Sequence, residues 1–138
     1  MASLMTRIRS GLATRVATVT SLQGRTHATF PDRLIVPAAI VSVPSWNFDR
    51  DFAGDSTVEA EVLILAAELG KGGERAQARL DAYLDDSGSE SVKAAIEGDV
   101  TLGGVAQSVS VTGWSEYGEV EVNGMAYLGA VLRVEVFA

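Results

Sequence analysis

The last segment of the chain, YGEVEVNGMAYLGAVLRVEVFA (117–138), constrains the fold more than any other part of the sequence. Valines alternate with glutamates in EVEV (119–122), which is the pattern of a strand with one buried face. Asn123 and Gly124 follow, and these residue types supply the positive φ angles that a two-residue type I′ turn requires. The segment therefore predicts a β-hairpin that returns through 125–137.

Two earlier segments also predict strands. In TVEAEVLILAA (57–67), apolar residues first alternate with glutamates, and Leu63 and Leu65 then fall on the second face. That change of pattern predicts a strand that is covered on both sides for half its length. LIVPAAIVSV (34–43) is rich in strand-forming residues, and Pro37 places the start of its paired part after the proline.

Three helices are predicted from apolar residues at helical spacing and from capping residues. Ser3 is a suitable N-cap for the first helix, whose apolar stripe is Leu4, Ile8, Leu12, Val16 and Val19. The second helix covers Glu74–Leu84, and the third covers SVKAAIE, with Ser87 and Glu90 as a capping box and Gly98 as its end. The buried stripe of the second helix is predicted to be Ala76, Leu80, Tyr83 and Leu84.

With a further strand around Val109 and Val111, the predicted order is α β β α α β β β. This order indicates the α+β class, with an antiparallel (mixed) sheet and with the N-terminal helix and two further helices on one face. At 138 residues the chain is expected to form one domain, 1–138.

Composition and charge limit the function classes. The chain has no cysteine and no apolar run near twenty residues, which argues against disulfides, thiolate chemistry and a membrane span. Residues 1–50 carry six Lys/Arg and two Asp/Glu, a net of +4, and residues 51–138 carry five and sixteen, a net of −11, which gives −7 in total. This balance argues against nucleic-acid binding, because phosphate neutralisation needs clustered Lys/Arg. It fits head-to-tail contacts between copies, or simply solvated surfaces of different sign.

The sequence predicts no catalytic centre, no cofactor and no metal site. His27 is the single histidine, so no second His or Cys can complete a zinc site. The Asp49–Asp55 stretch has the central glycine of a calcium loop, but Ala60 stands where the bidentate glutamate is required. The glycines around Lys71 lack the order of a phosphate-binding loop, and a strand-to-helix turn is expected there.

Two groups of residues are candidates for contacts between subunits or with a partner. The segment 44–56 is predicted to be a long loop, and its aromatic and arginine side chains either fold back on the core or meet a partner: Trp46, Phe48, Arg50 and Phe52. Paired glutamates on strands indicate a solvated face or a face exposed to a neighbouring subunit: Glu59, Glu61, Glu119 and Glu121. For a second cluster, Trp114, Glu116 and Tyr117, packing in the core is favoured.

The stretch RAQARLDAYLDDSGSESVKAAIEGDVTLGGV (75–105) resembles the tail terminator (tail completion) proteins of long-tailed phages. The N-terminal amphipathic helix, PDRLIVPAAIVSVPSWNFDRDF (31–52) and the closing hairpin extend the resemblance over nearly the whole chain. The shared motifs are structural and include no catalytic signature.

The resemblance implies a virion structural protein at the head-proximal end of the tail, made in the host cytoplasm and without a membrane partner. Such subunits form a ring, usually hexameric, that caps the tail tube, stops its polymerisation and offers its other face to a head-completion or connector protein. Double-stranded DNA would pass through the lumen without specific binding, along a glutamate-bearing sheet. A neck or head-closure subunit is the alternative within this class, and a small α+β enzyme or ligand-binding domain is the alternative from another class.

Overall fold

The structure is a computed structural model that describes residues 3–32, 34–47 and 57–137, with the backbone alone at 45–47. It contains three α-helices, a 3-10 turn and five strands within these ranges. In chain order they are α1 (Leu4–Val16), the 3-10 turn (Thr20–Leu22), β1 (Thr26–His27), β2 (Ala38–Asn47), β3 (Thr57–Glu68), α2 (Gly73–Leu84), α3 (Val92–Glu97), β4 (Ser108–Val122) and β5 (Met125–Phe137). No helix in the described part is long and apolar enough to cross a membrane.

The strands form one mixed sheet in the order β1-β2-β3-β5-β4. β1 pairs with β2 in parallel, and the other three pairings are antiparallel. The predicted α+β class is therefore confirmed. The two-residue strand β1 was not predicted, because two residues are too few to carry a period.

The three helices cover one face of the sheet: α1 lies over β1 and β2, α2 over β3 and β5, and α3 over β4. The alternation of β3 sends every second side chain into this core, where Val58, Val62 and Ile64 are fully buried. The predicted stripe of α2 is also buried there, and Ser3 caps α1 by accepting a hydrogen bond from the Thr6 amide at 3.2 Å.

The other face of the sheet is covered over half its length. Leu34 and Val36 pack there against a second cluster of buried residues: Ile40, Leu65, Val120, Val122 and Tyr127. This cluster confirms that one half of β3 is covered on both sides. The remaining half of the face has no apolar cover from the described residues and carries Glu59 and Glu61.

Two strands are longer than predicted. Residues 44–47 continue β2 after a bulge between Ser42 and Ser45, so the prediction of a loop that begins at Pro44 was wrong, and 48–56 lie outside the described residues. The prediction of two separate strands at 109–111 and 119–122 was also wrong, because β4 runs unbroken over both and absorbs its irregular positions in two bulges.

The ends of α3 and the hairpin turn test the predicted capping and turn residues. The N-cap of α3 is Ser91, whose hydroxyl accepts from the Ala94 amide at 3.1 Å, so the predicted capping box at Ser87 and Glu90 was wrong. The hairpin turn is confirmed, since Asn123 and Gly124 have φ angles of 54° and 80° between β4 and β5.

Candidate interaction surfaces

Four charged residues stand on the uncovered half of the sheet, which we call the open face: Glu59, Glu61, Arg133 and Glu135. Glu59 lies opposite Glu135 in the pairing of β3 with β5, and Glu61 lies opposite Arg133. With Pro44 and Thr112 these side chains line a shallow cavity of about 260 Å³. Glu59 and Arg133 are exposed, and Glu61 and Glu135 are half-buried. The open face is thus polar and accessible.

The charges of the open face are not balanced. Two glutamates stand directly across the strands from one another, at Glu59 and Glu135, an arrangement that disfavours the sheet. Arg133 lies next to them but forms no ion pair with any described residue. Three carboxylates with one guanidinium give this face a net negative charge, which repels other anions.

Glu119 and Glu121 border a second cavity together with Glu61, Leu63 and Val131, but the register of β4 sets their side chains apart from the open face. In the pairing of β4 with β5 they stand opposite Leu128 and Ala126, and Leu128 packs against the core on the helix side. Val120, between them, belongs to the cluster on the other side of the sheet. The two exposed glutamates therefore project from β4 on the helix side, at the free edge of the sheet.

Two aromatic residues stand on the same edge strand. Trp114 and Tyr117 are 47% and 37% exposed, and their ring centroids are 5.8 Å apart. The prediction that this cluster packs in the core was therefore wrong. The Tyr117 hydroxyl donates a hydrogen bond to Asp81 of α2 at 2.6 Å. This bond to a carboxylate, with a smaller effect of burial, raises the pKa of Tyr117.

We call this part of β4 the acidic edge and define it as Trp114, Glu116, Tyr117, Glu119 and Glu121. One bulge, at Val111/Gly113, precedes this stretch, and the other, at Ser115/Gly118, lies within it, so the regular ladder is broken. A broken ladder hinders the addition of another strand, so this edge offers side chains rather than backbone groups for contact.

The beginning of β4 is closed by α3. The Val111 amide donates to Glu97 Oε2 at 3.0 Å, and the other oxygen of that carboxylate accepts from Lys93 at 2.6 Å. Burial acts to raise the pKa of Glu97, but these two hydrogen bonds and the charge of Lys93 lower it overall. The accessible stretch of the edge therefore starts after Val111.

The aromatic loop predicted as an interface lies almost entirely outside the described residues. Trp46 is in β2 by its backbone, opposite Val58, and its side chain is not described. Phe48, Arg50 and Phe52 lie outside the described ranges. Their role as anchors stays a prediction.

Sequence reasoning missed Arg133, Glu135 and Asp81 as surface residues of interest. The alternation in VLRVEVF (131–137) was available, since it sets Arg133 and Glu135 opposite the buried valines of β5. Strand pairing brings Glu135 to Glu59, and the packing of α2 brings Asp81 to Tyr117. Both contacts depend on the tertiary fold, so a local sequence pattern does not predict them.

The residues weighed for chemistry stand apart from these surfaces. His27 is half-buried in β1 opposite Ile40, and Lys71 pairs with Glu68 at 2.8 Å in the turn before α2. Among the residues that the structure describes, no three His, Asp or Glu side chains are grouped so that they could hold a metal ion. No protein-family model matches the sequence, and no curated protein matches it significantly.

Proposed function

We propose that the protein is a phage tail terminator, a subunit of a ring, usually hexameric, that caps the tail tube. The observation that carries the proposal is the two-sided sheet, which has three helices on one face and an open, glutamate-bearing half on the other. The resemblance of nearly the whole chain to tail terminators supports the same conclusion.

In this proposal the open face lines the channel and the helices face outward. DNA leaving the head must pass this lining without being held there. Glu59, Glu61 and Glu135 repel phosphates, whereas a lining of Lys or Arg would release counterions and bind the backbone. Arg133 stands among these carboxylates, so its charge is offset locally.

The ring acts by occupying a surface. A ring docked on the last tube subunits withholds the site where the next subunits would add, so polymerisation stops. The opposite side of the ring then receives the head-completion protein. Neither step requires a covalent reaction, and binding free energy alone drives both.

Co-polymerisation with the tail-tube protein of the same phage tests the capping step. We expect tubes that stop growing when the purified protein is added, with a ring of extra density at one end. Tubes that lengthen at the same rate with and without the protein contradict the proposal. Binding to isolated heads instead of tubes identifies a neck or head-closure subunit.

A matched pair of substitutions tests the channel lining. Glu61→Lys places a cation on the open face, and Glu74→Lys makes the same charge change on the exposed side of α2. We expect both variants to cap tubes, but only Glu61→Lys to slow DNA ejection from assembled virions. Equal ejection rates would contradict the assignment of the open face to the lining of the channel.

A further inference from the structure

The charges of this chain are separated between two surfaces toward opposite edges of the sheet. Residues 1–31 contain no Asp or Glu, whereas residues 94–132 contain no Lys or Arg. α1, from the first range, packs over β1 and β2, and β4, from the second, is the far edge strand. The helix over the β1–β2 edge is therefore basic, and the strand at the other edge is acidic, although α1 also contacts α3.

The basic side has cations that the chain itself does not neutralise. Arg7 is exposed and Arg9 is half-buried, and they flank Ile8, which points into the core. Neither forms an ion pair with a described residue. The Nε atom of Arg9 is buried and has no hydrogen-bond partner in the described part of the chain. That atom is enclosed by the protein, so the group that a carboxylate from outside would meet first is the exposed Arg7, with which it would form a charge-assisted hydrogen bond.

The acidic edge has the complementary properties. Glu119 and Glu121 project on the helix side, together with the exposed rings of Trp114 and Tyr117. Aromatic residues and arginines are the usual anchors of protein interfaces, and exposed aromatics beside carboxylates suit an arginine, which stacks on rings and pairs with acids.

We propose that the acidic edge binds α1 of a second copy of this chain, with Arg7 and Arg9 meeting Glu119 and Glu121. This inference rests on the proposed function and names the contact that would build its ring. The two surfaces differ and belong to different elements toward opposite edges of the sheet, so the contact is head-to-tail. Contacts of this kind close into a ring when the rotation between subunits permits it.

Charge reversal tests the contact. One variant carries Arg7→Glu and Arg9→Glu, the second carries Glu119→Arg and Glu121→Arg, and a third combines all four changes. The control, Arg75→Glu with Arg79→Glu, makes the same charge change as the first variant on exposed positions of α2. Assembly is measured by sedimentation velocity from micromolar to millimolar protein, and folding is checked by thermal melting followed by circular dichroism.

We expect each two-residue reversal to need a roughly tenfold or more higher concentration for assembly than the wild type. The four-residue variant, and an equimolar mixture of the first two, should recover assembly, because opposite charges then meet again. The control should assemble like the wild type. Unchanged assembly in both reversals, or no recovery in the mixture, overturns the contact.

The same experiment separates this contact from the proposed function. Reversal-sensitive dimers or open chains in place of rings would support the contact and contradict the terminator ring. Rings that assemble equally well after charge reversal would support the terminator ring and overturn the contact. A wild-type protein that stays monomeric up to millimolar concentration overturns the contact.

Discussion

Arg133→Gln should destabilise the fold in a manner that depends on salt, because Arg133 lies among three glutamates. Glu61 stands directly across the strands, Glu135 is two residues along β5, and Glu59 lies on the diagonal. Opposite charges about 6 Å apart in water attract by about 0.7 kcal/mol. Screening at physiological salt leaves roughly half of this. Three such pairs give about 1 kcal/mol at physiological salt and roughly 2 kcal/mol at ten-millimolar salt.

Urea unfolding followed by circular dichroism, at low, physiological and molar salt, measures this effect. Arg75→Gln is the matched control, because Arg75 is an exposed residue of α2 and its loss should change stability by less than about 0.5 kcal/mol at every salt concentration. Equal costs of Arg133→Gln at molar and at low salt would contradict an electrostatic origin of the effect. A gain in stability would contradict the prediction as well, because Arg133 would then not be held by a net attraction to the three glutamates.

Two further substitutions test the packing around the sheet. Ser91→Ala should lower the free energy of unfolding in urea by about 1 kcal/mol, because it removes the N-cap of α3. Ser87→Ala, the control, should lower it by less than about 0.5 kcal/mol. Equal losses would indicate that Ser87 is a capping residue after all. Gly129→Ala should cost about 1–3 kcal/mol, since its new methyl group would strike the Ile64 carbonyl of β3. Gly113→Ala is the control, because the atom nearest to its new methyl group would be Arg133 Nη2 at 3.7 Å. A melting temperature for Gly129→Ala as high as that of this control would contradict the close approach of β5 to β3.

The parts of the fold that could be predicted are those in which the local period settles what is buried. The alternation through Val58 and Ile64 placed the buried face of β3, and the spacing of Leu80 and Tyr83 placed the buried stripe of α2. In each case one face must be apolar for the element to pack, so the pattern and the structure have the same cause.

The parts that could not be predicted depend on how the helices pack and how the strands pair in the tertiary fold. Both Ser87 and Ser91 are good capping residues, and only the packing of α3 selects Ser91. Gly113 and Gly118 interrupt the alternation of β4, as the end of a strand would. The pairing with β5 nevertheless continues past both glycines, and the irregular positions form bulges.

The open face was foreseen only in part, for the same reason. Glu59 and Glu61 could be placed on one face by alternation, but their neighbours Arg133 and Glu135 come from a strand more than seventy residues away. Glu119 and Glu121 have the same local pattern as Glu59 and Glu61, and they lie on the other side of the sheet because of the register of β4. Local alternation gives the spacing of side chains, and strand pairing decides which of them meet.

Electron microscopy of isolated tails can show the terminal ring itself. The proposed function implies that a phage encodes this chain, and tails are purified from that phage and from a mutant lacking the chain. We expect a ring of this protein at the head-proximal end of wild-type tails, and tubes of irregular length without that ring in the mutant. Tails of normal length and an unchanged head-proximal end in the mutant would contradict it.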